Sequence, residues 1–316
     1  MINSQIPIDL HSQFNEREAE VRHKVSYALS LLPMECLAGN WPQEATATLS
    51  PTSPQVRRFR ATAFATRHMS QDRISKFWFR NYLWASLLRE LMTRSLASDP
   101  ALRVARLSEL ALRTGLSVAS VHDAIDLAVR TGDFTKVRSD IDKRLIFLEP
   151  SAQIRKFFDA DIDNNVADLS HYCNRASLDS VHLKNIGGPH YARLMIRFVS
   201  FPRSRQTSES AVLFRRKFFF FMWDLILNTE GDNPETVTSI SKKMGVSVTS
   251  IAKVIHEAKQ GGWLEPGEQL RPSAMALHRF TMLCSVGEMR ANLLLDALTA
   301  VLAEPALAPA LDPLSN

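Results

Sequence analysis

The sequence that decides the fold occurs twice in this chain. Residues 107–134 read LSELALRTGLSVASVHDAIDLAVRTGDF, and residues 237–264 read VTSISKKMGVSVTSIAKVIHEAKQGGWL. The second copy follows at a constant offset of 130 residues, without a gap. Because an internal repeat is one supersecondary unit used again, it constrains the architecture before any single motif is considered. The identical pairs are Gly115/Gly245, Ser117/Ser247, Val118/Val248, Ser120/Ser250, Ile125/Ile255, Ala128/Ala258 and Gly132/Gly262.

Each copy predicts two helices joined by a tight turn. In the first copy, Gly115 supplies a positive φ at low steric cost, and Ser117 stands where an N-cap satisfies the free amides of the second helix. Gly132 closes that helix just beyond its C-cap. The second copy repeats the scheme with Gly245 and Ser247. Side chains expected in the core are Leu107, Leu110, Ala111, Val121, Ile125 and Ala128, and in the second copy Ile251, Ile255 and Ala258.

Two helices with this turn are typical of a DNA-binding helix-turn-helix. In that motif the exposed N-terminal part of the second helix enters the major groove and contacts base edges. The residues that the pattern leaves exposed there are Ser117, Ala119, Ser120, His122 and Asp123 in the first copy, and Ser247, Thr249, Ser250 and Lys253 in the second.

The segment after each copy adds a resemblance to a known family. Two β-prone runs flank the polar tip Asp142-Lys143-Arg144, which is followed by LIFLEPS. With the helices before it, this hairpin resembles the winged helix-turn-helix of MarR-like regulators, whose wing carries an Asp-x-Arg signature. In that family the Arg enters the minor groove and the Asp helps to hold the wing in shape. The resemblance implies these roles for Arg144 and Asp142, and a DNA-contacting wing tip that includes Lys143.

The chain departs from the family pattern in both copies. Asp123 stands where family members usually carry a basic residue, and a carboxylate there repels phosphate. The second copy keeps Lys253 at that position but lacks the Asp-x-Arg tip, since its hairpin is shorter by 8 residues. Only Arg271 remains near the shortened turn. The two copies therefore retain different parts of the family's DNA-contact set.

These observations predict a mainly α fold with small β-hairpin wings. The fold would hold two tandem winged helix-turn-helix units and helical segments of the dimerisation type, in a pseudo-two-fold arrangement. The predicted domains are 1–54 (N-terminal helix and Pro/Ser/Thr-rich linker), 55–180 (first winged helix), 181–304 (second winged helix) and 305–316 (flexible tail). Further helices are predicted over 14–37, 73–95, 151–176, 212–228 and 273–304, with the aromatic residues of 73–95 and 212–228 in a packed core rather than a ligand pocket.

Charge and composition favour a polyanionic partner. The net charge is +5 and the pI about 9.2. We expect a cytoplasmic location, because an odd number of scattered cysteines fits a reducing compartment. We expect no secretory signal or membrane span, because the N-terminus lacks a basic region followed by an apolar core and no apolar run reaches about 20 residues. Two basic blocks indicate either a phosphate-binding surface or solvated helix faces. They comprise Arg57, Arg58, Arg60, Arg67, Arg73, Lys76 and Arg80, and Arg193, Arg197, Arg203, Arg205, Arg215, Arg216 and Lys217.

No motif indicates an enzyme, a metal site or a cofactor. The chain has no GxxxxGK[ST], GxGxxG, HExxH or GxSxG sequence. Its three cysteines, Cys36, Cys173 and Cys284, are scattered without metal-ligand spacing. The stretch DADIDNN at 159–165 lacks the central Gly and the terminal Glu of a calcium loop, so we interpret it as helix surface or a solvated turn.

The leading hypothesis is a transcriptional regulator that binds double-stranded DNA as a covalent pseudo-dimer. Its operator would be an imperfect palindrome, since different side chains read the two half-sites. A plasmid-type replication initiator with two winged helices is one alternative, and a winged-helix scaffold that binds proteins is another. The hypothesis leaves room for an unidentified small-molecule effector and for a homodimer of the tandem chain.

Arg144→Ala tests the wing assignment. We expect it to weaken DNA binding without unfolding the chain, because a residue at a wing tip is exposed to solvent. The measurement is the affinity for a cognate duplex, with circular dichroism as the control for folding. Unchanged affinity would remove Arg144 from the DNA-contact set.

Overall fold

The computed structural model describes residues 8–31, 73–78, 82–97, 99–138, 146–198, 216–228, 236–244 and 246–312. Within these residues the chain is mainly helical, with one two-stranded antiparallel hairpin. The coarse fold prediction, mainly α with a small hairpin, is therefore confirmed. In chain order the helices are α1 (Ile8–Ser30), α2 (Arg73–Trp78), α3 (Tyr82–Ser95), α4 (Pro100–Arg103), α5 (Leu107–Thr114), α6 (Val118–Arg130), α7 (Ala152–Tyr172), α8 (Ser180–Phe198), α9 (Arg216–Asn228), α10 (Val237–Met244), α11 (Val248–Gln260) and α12 (Ala274–Ala303). The strands are β1 (Phe134–Arg138) and β2 (Ile146–Pro150), and a 3₁₀ helix spans Pro305–Leu311.

The two copies of the repeat form the same helices. The bounds of α5 and α10, and those of α6 and α11, differ by 130 residues at both ends. In each copy the two helices pack on each other. Of the predicted core residues, Leu107 and Ile255 are only half-buried and the others are buried. Val254 is also buried on α11, as is the equivalent Ala124 on α6.

The chain divides into two compact units that are discontinuous in sequence. The first comprises Met1–Leu31, Ala85–Pro202 and Met289–Asn316, and the second comprises Leu32–Trp84 and Arg203–Glu288. The first unit contains the first copy of the repeat, and the second unit contains the second copy. These units differ from the predicted boundary at 180/181, which falls at the start of α8. That helix belongs to the first unit because it packs against α7 and the 3₁₀ helix.

In the first unit, α1 buries the predicted stripe against α8 and the 3₁₀ helix. The helix begins at Ile8 rather than at residue 14 and ends at Ser30 rather than at residue 37. Pro33 explains the early end, because a proline lacks the backbone N–H that a helix needs and restricts the residue before it. The buried residues of the stripe are Val21, Val25, Ala28 and Leu31, while Leu32 lies outside the described residues.

Part of the tail predicted over 305–316 has secondary structure. Pro305–Leu311 forms the 3₁₀ helix and buries Leu307 and Leu311. The Asp312 carboxylate then accepts hydrogen bonds from the guanidinium of Arg193, which is buried and also donates from Nη1 to the Leu96 oxygen (2.5 Å). The Pro- and Ala-rich composition predicts a frayed segment. In the structure the burial of Leu307 and Leu311 stabilises it, and so does the Asp312 carboxylate, which compensates the buried charge of Arg193.

The second unit has an aromatic core. Trp223 of α9 lies 5.2 Å from Phe280 of α12 between ring centroids, and Phe218 lies edge-on to Trp263 at 5.7 Å. Phe77 and Trp84 form a similar edge-to-face pair at 5.0 Å. Such aromatic pairs add to the stabilisation that burial alone provides. The prediction of a packed core is confirmed for the two tryptophans, and the predicted helix 73–95 is present as α2 and α3, with 79–81 outside the described residues.

Asp168 of α7 makes the stability of the first unit depend on pH. The pKa of its carboxyl is raised from 3.8 to about 6, chiefly by burial. His171 lowers this pKa and the nearby Asp161 raises it, both by less than burial does. Because the pKa is raised in the folded state, the charged form disfavours folding. Stability is therefore lost as the pH rises from about 4 through about 6.

We expect Asp168→Asn to raise the free energy of unfolding at pH 7.5 by about 1 kcal/mol, after allowance for solvent screening. The gain should shrink as the pH falls to 4, where Asp168 itself is protonated. Urea unfolding at both pH values measures it, with Asp159→Asn as an exposed control on the same helix. An equal gain at both pH values would contradict this account.

Candidate nucleic-acid interface

The second helix of each copy begins at the same kind of cap. The Ser117 hydroxyl accepts a hydrogen bond from the Ser120 amide at 3.1 Å, and the Ser247 hydroxyl accepts one from the Ser250 amide at 3.2 Å. Before α6, Gly115 adopts φ 70° and donates its N–H to the Ala111 oxygen. The predicted caps and the first turn residue are confirmed, whereas Gly245 lies outside the described residues.

The two helices also end in the same way. Gly132 and Gly262 adopt φ values of 74° and 70°, in the left-handed region that favours glycine. The amide after each glycine reaches back along the helix, from Asp133 to the Ala128 oxygen and from Trp263 to the Ala258 oxygen, at 2.9 Å in both cases. This is the hydrogen-bond pattern of a Schellman motif. As a result α6 and α11 have equal lengths of 13 residues.

The segments that follow differ between the copies. In the first, β1 pairs with β2 from Phe134↔Pro150 to Arg138↔Ile146, and the tip with Asp142, Lys143 and Arg144 lies outside the described residues. In the second, the shortened turn is closed by one bridge, Leu264↔Pro272. Arg271 is exposed beside that bridge and accepts the Glu265 amide on its backbone oxygen. The Lys259 ammonium donates to the Gly267 oxygen at 3.0 Å and so holds the turn against α11.

The contact residues predicted for the second helix of each copy lie at its N-cap and in its N-terminal half. On α6, Ser120 is half-buried, and on α11, Ser250 is half-buried. The remaining residues are exposed: Ser117, Ala119, His122 and Asp123 in the first copy, and Ser247, Thr249 and Lys253 in the second. Each copy therefore presents a short, capped helix face of the size that a groove accepts.

The exposed face of the first copy is acidic. The His122 Nδ1 atom lies 3.5 Å from the Asp126 carboxylate and 3.9 Å from that of Asp123. The Arg113 guanidinium lies 3.4 Å from Glu109 and 3.6 Å from Glu90. Residues 107–130 carry two basic and three acidic side chains, which gives a net charge of −1.

The equivalent face of the second copy is basic. Residues 237–260 carry four lysines and one glutamate, which gives a net charge of +3. Lys242 and Lys253 are exposed and form no ion pair within the part of the chain that the structure describes. The other two lysines contact groups of the protein, since Lys243 lies 3.8 Å from Asp224 and Lys259 donates to the Gly267 oxygen. A phosphate group would thus meet opposite fields at the two copies.

A buried carboxylate beneath each copy is a feature that sequence reasoning missed. The last turn of the first repeat helix carries Arg113 in one copy and Lys243 in the other, at equivalent positions. Arg113 contacts Glu90 of α3 and Lys243 contacts Asp224 of α9, and both carboxylates are buried. The two copies of the repeat both carry a positive charge at this position, Arg113 and Lys243, and that shared charge is the sequence signal from which a buried carboxylate could have been predicted.

Arg94 ties the first copy to the helix before it. Its Nε atom donates to Glu90 at 2.9 Å and its Nη1 atom donates to the Val104 oxygen at 2.9 Å. The remaining nitrogen, Nη2, donates to Glu109 of α5. Because Arg94 is buried, these partners replace the water that its guanidinium loses on folding.

The second basic block does not form a phosphate-binding surface as a whole. Arg193 is buried against Asp312, and Arg197 is half-buried with Nη1 3.5 Å from Glu90. In the first block, Arg73 is exposed. The side chains of the other residues in both blocks lie outside the described part of the chain.

Neither a metal centre nor a membrane span emerges from the described residues. They contain no cluster of three or more His, Cys, Asp or Glu side chains suited to a metal ion. No helix among them is long and apolar enough to cross a bilayer.

The two serine caps should contribute equally to their helices. Ser117→Ala and Ser247→Ala should each cost about 1 kcal/mol of local stability, since alanine cannot accept the free amide, whereas Ser→Gly at either position should cost only a few tenths. Native-state hydrogen exchange at the Ser120 and Ser250 amides measures the effect. Unchanged exchange in the alanine variants would show that the caps do not hold the helix starts.

Comparison with known proteins assigns no family to the chain. No family model, curated protein or solved structure matches it. Its function must therefore be inferred from its own residues and contacts.

Proposed function

We propose that this chain is a sequence-specific regulator of transcription that binds double-stranded DNA. Two winged helix-turn-helix units in tandem would give it the form of a MarR-like covalent pseudo-dimer. The observation that carries the proposal is the exposed N-terminal half of α11, which is capped by Ser247 and carries Thr249 and Lys253. The preceding helix, α10, adds the exposed Lys242.

This face has the properties that a duplex requires. The major groove is about 12 Å wide and admits one α-helix. The positive end of the helix dipole at Ser247 favours an approaching phosphate. Thr249 can hydrogen-bond to base edges, while Lys253 and Lys242 supply the charge that releases counterions. The short wing of the second copy leaves Arg271 exposed for a further backbone contact.

A protein-binding scaffold is the second candidate, favoured by the first copy alone. Its helix pair has a net charge of −1, and Leu112 on α5 is 83% exposed. An exposed apolar residue on a negatively charged surface is suited to contact with a polypeptide, because the surface charge repels phosphate. The basic face of the second copy argues for DNA as the main ligand.

A salt titration with a random-sequence duplex tests the proposed function. Phosphate contacts predict that log K falls with log salt by about 0.9 per phosphate neutralised. Fluorescence anisotropy of a labelled duplex between low and physiological salt gives this slope. We expect Lys242→Ala to reduce the slope by about 0.9, and Lys156→Ala, an exposed lysine on α7, to leave it unchanged.

The outcome that contradicts the proposal is simple to recognise. An absence of binding to any duplex at low salt would exclude a DNA-binding regulator. The scaffold would then be the better description of the chain.

A further inference from the structure

We propose that only the second copy of the repeat inserts its helix into the major groove, so that the chain recognises a single asymmetric DNA element. The inference rests on the proposed function and deepens it. It departs from the symmetric expectation, in which the two copies read two half-sites about one helical turn apart. Four features of the first copy carry it.

The first feature is charge at equivalent positions. Asp123 on α6 corresponds to Lys253 on α11, and both side chains are exposed on helices with the same caps and the same length. The Asp123 side chain is 81% exposed, so its carboxylate lies in solvent where a phosphate would approach the helix. A helix that enters the groove there would bring a carboxylate toward phosphates on both sides.

The second feature is His122, the best candidate for base contact on α6. Its Nδ1 atom lies 3.5 Å from the Asp126 carboxylate and 3.9 Å from that of Asp123, both on the same helix. Any positive charge on this imidazole is offset by Asp123 and Asp126, so the group adds no net attraction for DNA. The second copy has Ala252 at the same position and no such acidic pair.

The third feature is the loss of available cations on α5. Arg113 is engaged by Glu109 and Glu90 at 3.4 and 3.6 Å. Its equivalent Lys243 lies 3.8 Å from Asp224, and the second copy has Ser239 where the first has Glu109. The neighbouring exposed position is Leu112 in the first copy and Lys242 in the second.

The fourth feature is the position of the remaining cation on α6. Arg130 lies in the last turn, about 15 Å along the helix axis from Ser120, where base edges would be read. Its Nε atom also donates back to the Asp126 oxygen of its own helix at 3.4 Å. The N-terminal half of α6 therefore carries no basic residue other than His122.

The experiment compares equivalent substitutions on a duplex that the unmodified chain selects from random DNA. Lys253→Ala should weaken binding by about tenfold and reduce the salt slope by about 0.9. Asp123→Ala should change affinity by less than about twofold, because its helix stays outside the groove. Lys156→Ala and Asp159→Ala on α7 are the matched exposed controls, and circular dichroism confirms folding.

Two results with Asp123→Ala would overturn the inference. A tenfold loss of affinity would mean that Asp123 accepts a hydrogen bond from a cytosine amine. A gain of fivefold or more would mean that Asp123 lies against phosphate in the complex. Either result places the first copy in the groove.

Methylation interference at guanine N7, a major-groove atom, gives an independent readout. A single cluster of interfering guanines is expected, and Lys253→Ala should weaken it. Two clusters about ten base pairs apart would overturn the single-reader inference and leave the proposed function intact. An absence of DNA binding by the unmodified chain would instead overturn the proposed function, and this inference with it.

Discussion

The equal lengths of α6 and α11 depend on how their backbone ends are satisfied. A serine hydroxyl accepts a free amide at the start, and a left-handed glycine lets later amides return to the helix at its end. These contacts are identical in the two copies, whereas the exposed positions between them are not. The backbone of the second helix is thus the same in the two copies, while its exposed charges differ. The difference in electrostatic field between the copies therefore comes from side chains and not from a change of fold.

Buried charge is the second constraint on this chain. Arg94, Arg193 and Glu90 lie in the first unit with little exposed surface, and each is compensated by an opposite charge. Arg290 differs, because it donates to the Ala28 oxygen and stacks on Phe198 at 4.0 Å. Burial lowers the pKa of its guanidinium to about 9. Removing one partner of a buried ion pair lowers the free energy of unfolding by more than the intact pair contributes, because the other charge is left buried without compensation. The segments that carry the two partners must therefore pack together in the folded chain.

Local chemistry could be predicted from the sequence, and long-range contacts could not. Ser117, Ser247 and Gly132 indicate helix ends because their effects act within one turn. The half-buried state of Ile255 and the burial of Val254 depend on which residues pack against α11. The hydrophobic periodicity of the sequence gives no information on those residues. The pairing of Arg193 with Asp312 joins residues 119 apart, and composition alone predicted a frayed tail there. The roles of Asp142, Lys143 and Arg144 rest on the resemblance alone, since they lie outside the described residues.

Placing both copies in one polypeptide changes how such a surface can evolve. In an assembly of two identical chains, every substitution appears at both symmetry-related sites. Here a change at residue 123 leaves residue 253 as it was. One copy can carry a carboxylate or an exposed leucine at a position where the other carries a lysine. The acidic and basic faces on matching backbones are the outcome that this independence permits.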